Sequence, residues 1–128
     1  MAIASFQAGE SLSAGDAVYV ASDNLVYKAS GLNVTQATVA GLAVNSGSPG
    51  DLIRVNSDSV YDGLSGLTPG ELQFLSITTS GSVIDYPTWF SEFSSFAADA
   101  YLTQIGRATS SAEIKVSISA PFLMVYVP

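Results

Sequence analysis

The sequence predicts an all-β protein: a single antiparallel β-sandwich or barrel with at most one short helix, within residues 87–100. Three observations predict this class. Short runs with alternating apolar residues recur along the chain, turn sequences separate them, and strong helix formers are few, with only four Lys and Arg in 128 residues. The length of the runs leads us to expect about eight to eleven strands.

The clearest strand is Glu113 to Ser119, where Ile114, Val116 and Ile118 share one face and polar side chains share the other. Six further runs have similar length and β-branched or aromatic content: 17–21, 25–29, 38–44, 52–56, 72–76 and 101–108. We therefore assign residues 1–128 to one β domain, which begins with a short N-terminal extension of about residues 1–8.

The last strand is predicted at 122–127, where the chain is apolar on both faces. A strand of this kind at a chain end is either central in its own sheet or packed on a neighbouring molecule. Both interpretations stay open from the sequence.

Turn sequences separate the strands. Ser48-Pro49-Gly50-Asp51 and Thr68-Pro69-Gly70-Glu71 place Pro second and Gly third, which predicts type II turns with a positive φ at each glycine. The same Gly-acid strand start recurs at Gly15-Asp16, and 22–24 joins two short runs as a hairpin would. The predicted structural turn residues are Gly15, Gly50 and Gly70.

The segment from Pro87 to Ala100 interrupts the strand pattern and holds the only Trp and three of the six Phe. Four of its apolar residues recur at helical spacing: Trp89, Phe93, Phe96 and Ala100. Thr88 is in position to cap this helix. Either these aromatic side chains close one end of the barrel, or some of them contact a partner, since Trp and Phe are favoured in interface cores.

Phe90 lies about 100° around such a helix from Trp89, so it points away from the core-facing side. Beside Tyr86 it would form an exposed apolar patch of the kind that marks interaction sites. We therefore predict a partner-binding surface drawn from this segment and the last strand: Tyr86, Trp89, Phe90, Phe93, Phe122, Met124 and Tyr126.

The composition excludes several kinds of chemistry. The chain has no Cys and no His, so disulfides, thiolate metal sites, Cys nucleophiles and a His general base are all excluded. A net charge of −7 argues against a nucleic-acid partner, and no apolar run approaches the length of about 20 residues that spans a bilayer. We predict no catalytic residues, no metal, no cofactor and no membrane or nucleic-acid partner.

Six segments follow one another in a distinctive order. They are AGESLSAGDAVYV (8–20), LVYKA (25–29), VAGLA (39–43), GDLIRV (50–55), GLSGLTPG (63–70) and IGRATS (105–110). This order resembles small β-proteins of tailed bacteriophages, found as capsid decoration (cement) proteins and as modules of tail fibres. The resemblance covers about residues 8–118; the aromatic segment 87–100 and the tail 122–127 depart from it.

The resemblance implies a non-enzymatic structural protein of the virion, made in the host cytoplasm. It would bind the outer capsid surface as a homotrimer and bridge subunits of the major capsid protein. The alternative is a tail or fibre module that binds a host surface glycan, with Trp89 or Tyr86 stacked on sugars. A second rival is a small carboxylate hydrolase that acts on a capsule.

Overall fold

The computed structural model describes residues 3–128, which form twelve strands and two helices. The strands are β1 (Ile3–Ala8), β2 (Ala17–Val20), β3 (Leu25–Lys28), β4 (Gly41–Ala43), β5 (Leu52–Asn56), β6 (Val60–Tyr61), β7 (Leu72–Leu75), β8 (Val83–Asp85), β9 (Ala100–Leu102), β10 (Gln104–Ala108), β11 (Ile114–Val116) and β12 (Phe122–Met124). The helices are α1 (Val34–Ala37) and α2 (Tyr86–Phe96). The protein is mostly β, which confirms the all-β class, although twelve strands exceed the eight to eleven expected.

Five strands close into a small barrel in the order β1-β3-β2-β4-β5. Its pairs are antiparallel except β1 with β3, where Gln7 and Ala8 run parallel to Leu25 and Val26. β1 also pairs with β5 from Ile3 to Gln7. The predicted extension at about 1–8 is therefore wrong for residues 3–8, because this ladder makes them a barrel strand.

The remaining strands form two further sheets. One has five antiparallel strands in the order β6-β11-β10-β7-β8, and the other pairs β12 with β9. One buried apolar cluster joins the barrel to the five-stranded sheet: Ala17 and Leu42 from the barrel contribute with Leu75 and Ile105 from the sheet. The strands are thus shared among a barrel and two sheets rather than confined to one barrel.

The predicted turns are confirmed. Gly50 and Gly70 both have a φ of 90°. The amide of Asp51 donates to the Ser48 carbonyl at 3.0 Å, and that of Glu71 to the Thr68 carbonyl at 3.1 Å. Gly15 has a φ of 95° in the same kind of turn, and 22–24 joins β2 to β3 as a hairpin.

Other local predictions need correction. The limit of one helix is wrong, because Asn33 caps the short helix α1 by accepting the Gln36 amide at 2.9 Å. The run 101–108 is two strands, separated at the buried Thr103, whose hydroxyl donates to the Ala37 carbonyl at 2.7 Å. The run 113–119 keeps its predicted faces, but only Ile114–Val116 is a strand.

Candidate interaction surface

Helix α2 begins one residue before the predicted segment and is capped at both ends. Asp85 is the N-cap and accepts the Thr88 amide at 3.0 Å, so the predicted cap at Thr88 is wrong. Hydrogen bonds from Thr88 hold the pKa of Asp85 below its ordinary value, and the bond from the side chain has a larger effect than the bond from the amide. Pro87 occupies the first turn, and Ala97 ends the helix in the left-handed conformation at a φ of 55°.

Glu92 hydrogen-bonds α2 to the two residues that follow β7. Its carboxylate accepts the Ser76 hydroxyl at 2.9 Å and the Ile77 amide at 2.8 Å, and Ser76 and Ile77 are buried. Sequence reasoning missed this residue. Its position three residues after Trp89, on the same face of a helix, was the signal that it points inward.

Five of the six aromatic residues predicted for the surface, all but Phe122, meet in one chain of rings. Ring centroids are 6.3 Å apart for Phe90 and Tyr86, 6.2 Å for Tyr86 and Trp89, and 5.2 Å for Trp89 and Phe93. Tyr126, after β12, meets the Phe93 ring edge-on at 5.9 Å. The helix and the C-terminal residues therefore pack on each other through this chain.

Burial divides the predicted surface residues. Trp89 has no exposed surface and Phe93 is 9% exposed, so both belong to the core, and their assignment to the partner-binding surface is wrong. They fill a buried cluster with Phe74, Ile77 and Ala100, on which Met124 and Tyr126 also pack, each half-buried. The Trp89 indole N–H has no hydrogen-bond partner among residues 3–128, so packing alone positions this ring.

The other predicted residues stay exposed. Tyr86 is 44% and Phe90 53% exposed, and Phe122 is more exposed still. Phe96, predicted to face the core with Trp89, is also exposed at the end of the helix, and Ala100 lies in β9 instead of the helix. Phe90 thus points away from Trp89 into solvent, as the helical spacing predicts.

The last strand lies at an edge. Among residues 3–128, β12 pairs only with β9, so the interpretation that 122–127 is central in its own sheet is wrong. The Tyr101 amide of β9 donates to the Gly31 carbonyl at 2.9 Å, away from β12. Because Leu123 is opposite Tyr101 in the antiparallel ladder, its own amide and carbonyl point to the outer edge.

β12 ends at Met124, so the predicted strand 122–127 is wrong for residues 125–127, and exposed apolar side chains continue beyond the strand at Val125 and Val127. We use the term apolar surface for six exposed residues, two in the first half of α2 and four in the C-terminal segment 122–127: Tyr86, Phe90, Phe122, Leu123, Val125 and Val127. The two segments that carry these residues pack on each other beneath them through the Phe93–Tyr126 contact.

Within residues 3–128, no group of three or more Asp and Glu lies close enough together to hold a metal ion. In the same residues, neither helix is long and apolar enough to cross a membrane. No protein-family model matches this sequence, and a search of curated proteins finds no match either. The resemblance to phage decoration proteins therefore stays a prediction.

Proposed function

We propose that this protein is a non-enzymatic structural protein of a virion that decorates the outer capsid surface and bridges subunits of the major capsid protein. The observation that supports this role is the apolar surface on α2 and the C-terminal segment 122–127. Apolar patches that contain aromatic side chains are typical of protein-binding sites.

The charge distribution supports a protein partner for this surface. Helix α2 contains a single charged residue, Glu92, and its carboxylate is used inside the molecule. The chain has no charged residue after Lys115. Interface cores are depleted of charged side chains, so a surface of this composition suits burial against another protein.

The open edge of β12 adds directional contacts to the apolar ones. An extended segment of a capsid subunit or of a second copy would pair with the free backbone groups at Leu123. When each copy offers this edge to a different surface of the next copy, the contact is head-to-tail, and three such contacts close a ring. A homotrimer is therefore part of the proposal.

The mechanism requires only binding energy. A subunit that contacts two or more capsid proteins in the closed shell, and not in the open one, stabilises the closed shell by mass action. The net charge of −7 favours solubility before assembly on the capsid and opposes contact with the encapsidated genome.

The glycan-binding alternative loses one of its two predicted residues. Trp89 is completely buried and cannot stack on a sugar, which leaves only Tyr86 at that position. We therefore place the capsid role first.

The test is co-sedimentation of the purified protein with capsids of the virus that encodes it. We expect the protein to pellet with the shells and the Phe90→Ala variant to bind roughly thirtyfold more weakly, since a hot-spot Phe contributes about 2 kcal/mol. Leu52→Ala is the matched control, because Leu52 is 62% exposed but lies on the barrel. A protein that stays in the supernatant, or equal losses for both variants, would contradict the proposal.

The trimer has its own measurement. Sedimentation velocity should give the mass of three copies for the free protein, and the same mass for protein that is released from capsids. Deletion of 122–128 should abolish that assembly or the capsid binding. A deletion variant that folds and binds capsids fully would remove the C-terminal strand from the interface.

A further inference from the structure

A groove of about 410 Å³ lies between the barrel and the connections beside it. Tyr19 of β2 and Tyr27 of β3 form one wall, and Gln36 of α1 and the loop residues Thr78 and Ser80 lie around it. None of its lining residues belongs to α2 or β12, so the groove is separate from the apolar surface. Its volume is within the range of about 300–1,000 Å³ that is typical of small-molecule clefts.

The aromatic wall is held rigidly. The Tyr27 ring lies directly on the backbone of Gly9, where any Cβ would overlap the ring. At its other end, the Tyr27 hydroxyl donates to the Asp23 carboxylate at 2.7 Å, and this bond raises the pKa of Tyr27. The Tyr19 ring lies beside it, with the centroids 6.0 Å apart and the planes tilted by 32°.

Polar groups from five separate segments face the same groove with spare hydrogen-bonding capacity. The Glu10 carboxylate uses one oxygen to accept the Lys28 amide at 2.8 Å, and its second oxygen has no partner within residues 3–128. Gln36 uses its oxygen to accept the Ser30 hydroxyl at 3.0 Å, which leaves its NH₂ group without a partner in that range. The Lys28 ammonium and the hydroxyls of Tyr19 and Ser80 also line the groove and have no hydrogen-bond partner within residues 3–128.

We infer that this groove binds a neutral oligosaccharide, with a pyranose ring stacked on the Tyr19–Tyr27 wall. A pyranose has an apolar C–H face and a rim of hydroxyls that both donate and accept hydrogen bonds. The tyrosine rings suit the face, and the mixed donors and acceptors of Glu10, Lys28, Gln36 and Ser80 suit the rim. The fixed ring of Tyr27 lowers the entropy lost on binding.

The charges select a neutral ligand over an anionic one. Glu10 and Asp23 stand on the same side of the barrel as the tyrosines, and the whole chain carries −7, against the single ammonium of Lys28 in the groove. A nucleotide would also stack on aromatic rings, but its phosphates would meet this negative field.

The test is an NMR titration of the isotope-labelled full chain with maltohexaose, cellohexaose and mannohexaose, each up to about 10 mM, which detects millimolar binding. We expect at least one of them to give saturable shifts at the amides of Glu10, Tyr19, Lys28, Gln36 and Ser80. Tyr19→Ala should weaken that binding at least tenfold, whereas Tyr19→Phe, which keeps the ring, should weaken it by less.

Ser80→Trp provides a second variant that leaves the core intact, because Ser80 is exposed and a Trp side chain would fill the groove. It should abolish the shifts, whereas Tyr86→Ala, which alters an exposed tyrosine outside the groove, should leave them unchanged. No saturable shift with any of the three sugars, shifts centred on Tyr86, unaltered binding by Ser80→Trp, or binding of AMP in place of the sugars would each overturn the inference.

Discussion

Replacing Glu92 with Ala should strongly destabilise the protein, although the side chain is only half-buried. The substitution removes the acceptor of the Ser76 hydroxyl and of the Ile77 amide, and these residues are 0% and 1% exposed. Each buried donor left without a partner costs about 1–3 kcal/mol, so the expected loss in the free energy of unfolding for the two donors is about 2–6 kcal/mol. That is a large part of the stability of about 5–15 kcal/mol that is typical of a native protein.

The assay is equilibrium unfolding in urea, followed by fluorescence of Trp89, the only tryptophan, and by circular dichroism. Glu92→Gln keeps one oxygen acceptor but loses the charge that strengthens these bonds, so it should cost about 1–2 kcal/mol. Glu71→Ala is the control: Glu71 is exposed, and its substitution should change stability by less than about 0.5 kcal/mol. If Glu92→Ala unfolds at the same urea concentration as Glu71→Ala, the proposed anchoring of α2 is wrong.

Three further substitutions test single features by the same urea assay. Gly70→Val should cost about 1–3 kcal/mol through backbone strain alone, because φ is +90° and a Cβ there would meet nothing within 4 Å; an unchanged midpoint would refute this. Asp85→Ala should cost about 1 kcal/mol at neutral pH, while Asp85→Asn, which still caps, should cost less. The pKa of Asp85 is lowered in the folded state from its ordinary value of 3.8, so the contribution of its carboxylate to stability is present above that pH and is lost as the pH falls below it. The stabilities of wild type and Asp85→Ala should therefore converge in acid. A difference in stability that stays constant with pH would argue against the cap. Thr103→Val removes one of two hydrogen bonds to the Ala37 carbonyl, which still accepts the Val39 amide at 3.1 Å, and should cost about 0.5–1.5 kcal/mol, whereas Thr103→Ser should recover most of that loss.

Much of the local structure is predictable from the sequence because it depends on residues close together in the chain. The turns at Gly50 and Gly70 follow from a Pro that presets φ and a Gly that tolerates a positive φ. The exposure of Phe90 and the burial of Phe93 follow from helical geometry, since Phe93 comes four residues after the buried Trp89 and lies on the same face, whereas Phe90 lies about 100° around the helix from Trp89. The absence of Cys and His is a property of the sequence itself, and it restricts the chemistry whatever the fold.

The candidate surface was predictable only in part. The sequence places Tyr86, Phe90 and Phe122 together as partner-binding residues, and the structure leaves all three exposed. It also assigned Trp89 to that surface, although periodicity alone does not say how deep a helix face is buried. The groove at Tyr19 and Tyr27 has no sequence signal, since its walls come from the barrel, α1 and a loop near residue 80.

Only the tertiary structure decided how distant segments pair. Residues 3–8 become a barrel strand through their ladder with β5, about fifty positions later in the chain, and nothing near residue 3 indicates that partner. Glu92 is bonded to residues fifteen and sixteen positions earlier, and β12 ends at an edge because β9 supplies its one neighbour. Such contacts depend on the burial free energy of the whole chain, which favours one arrangement of strands over others with equally good local patterns.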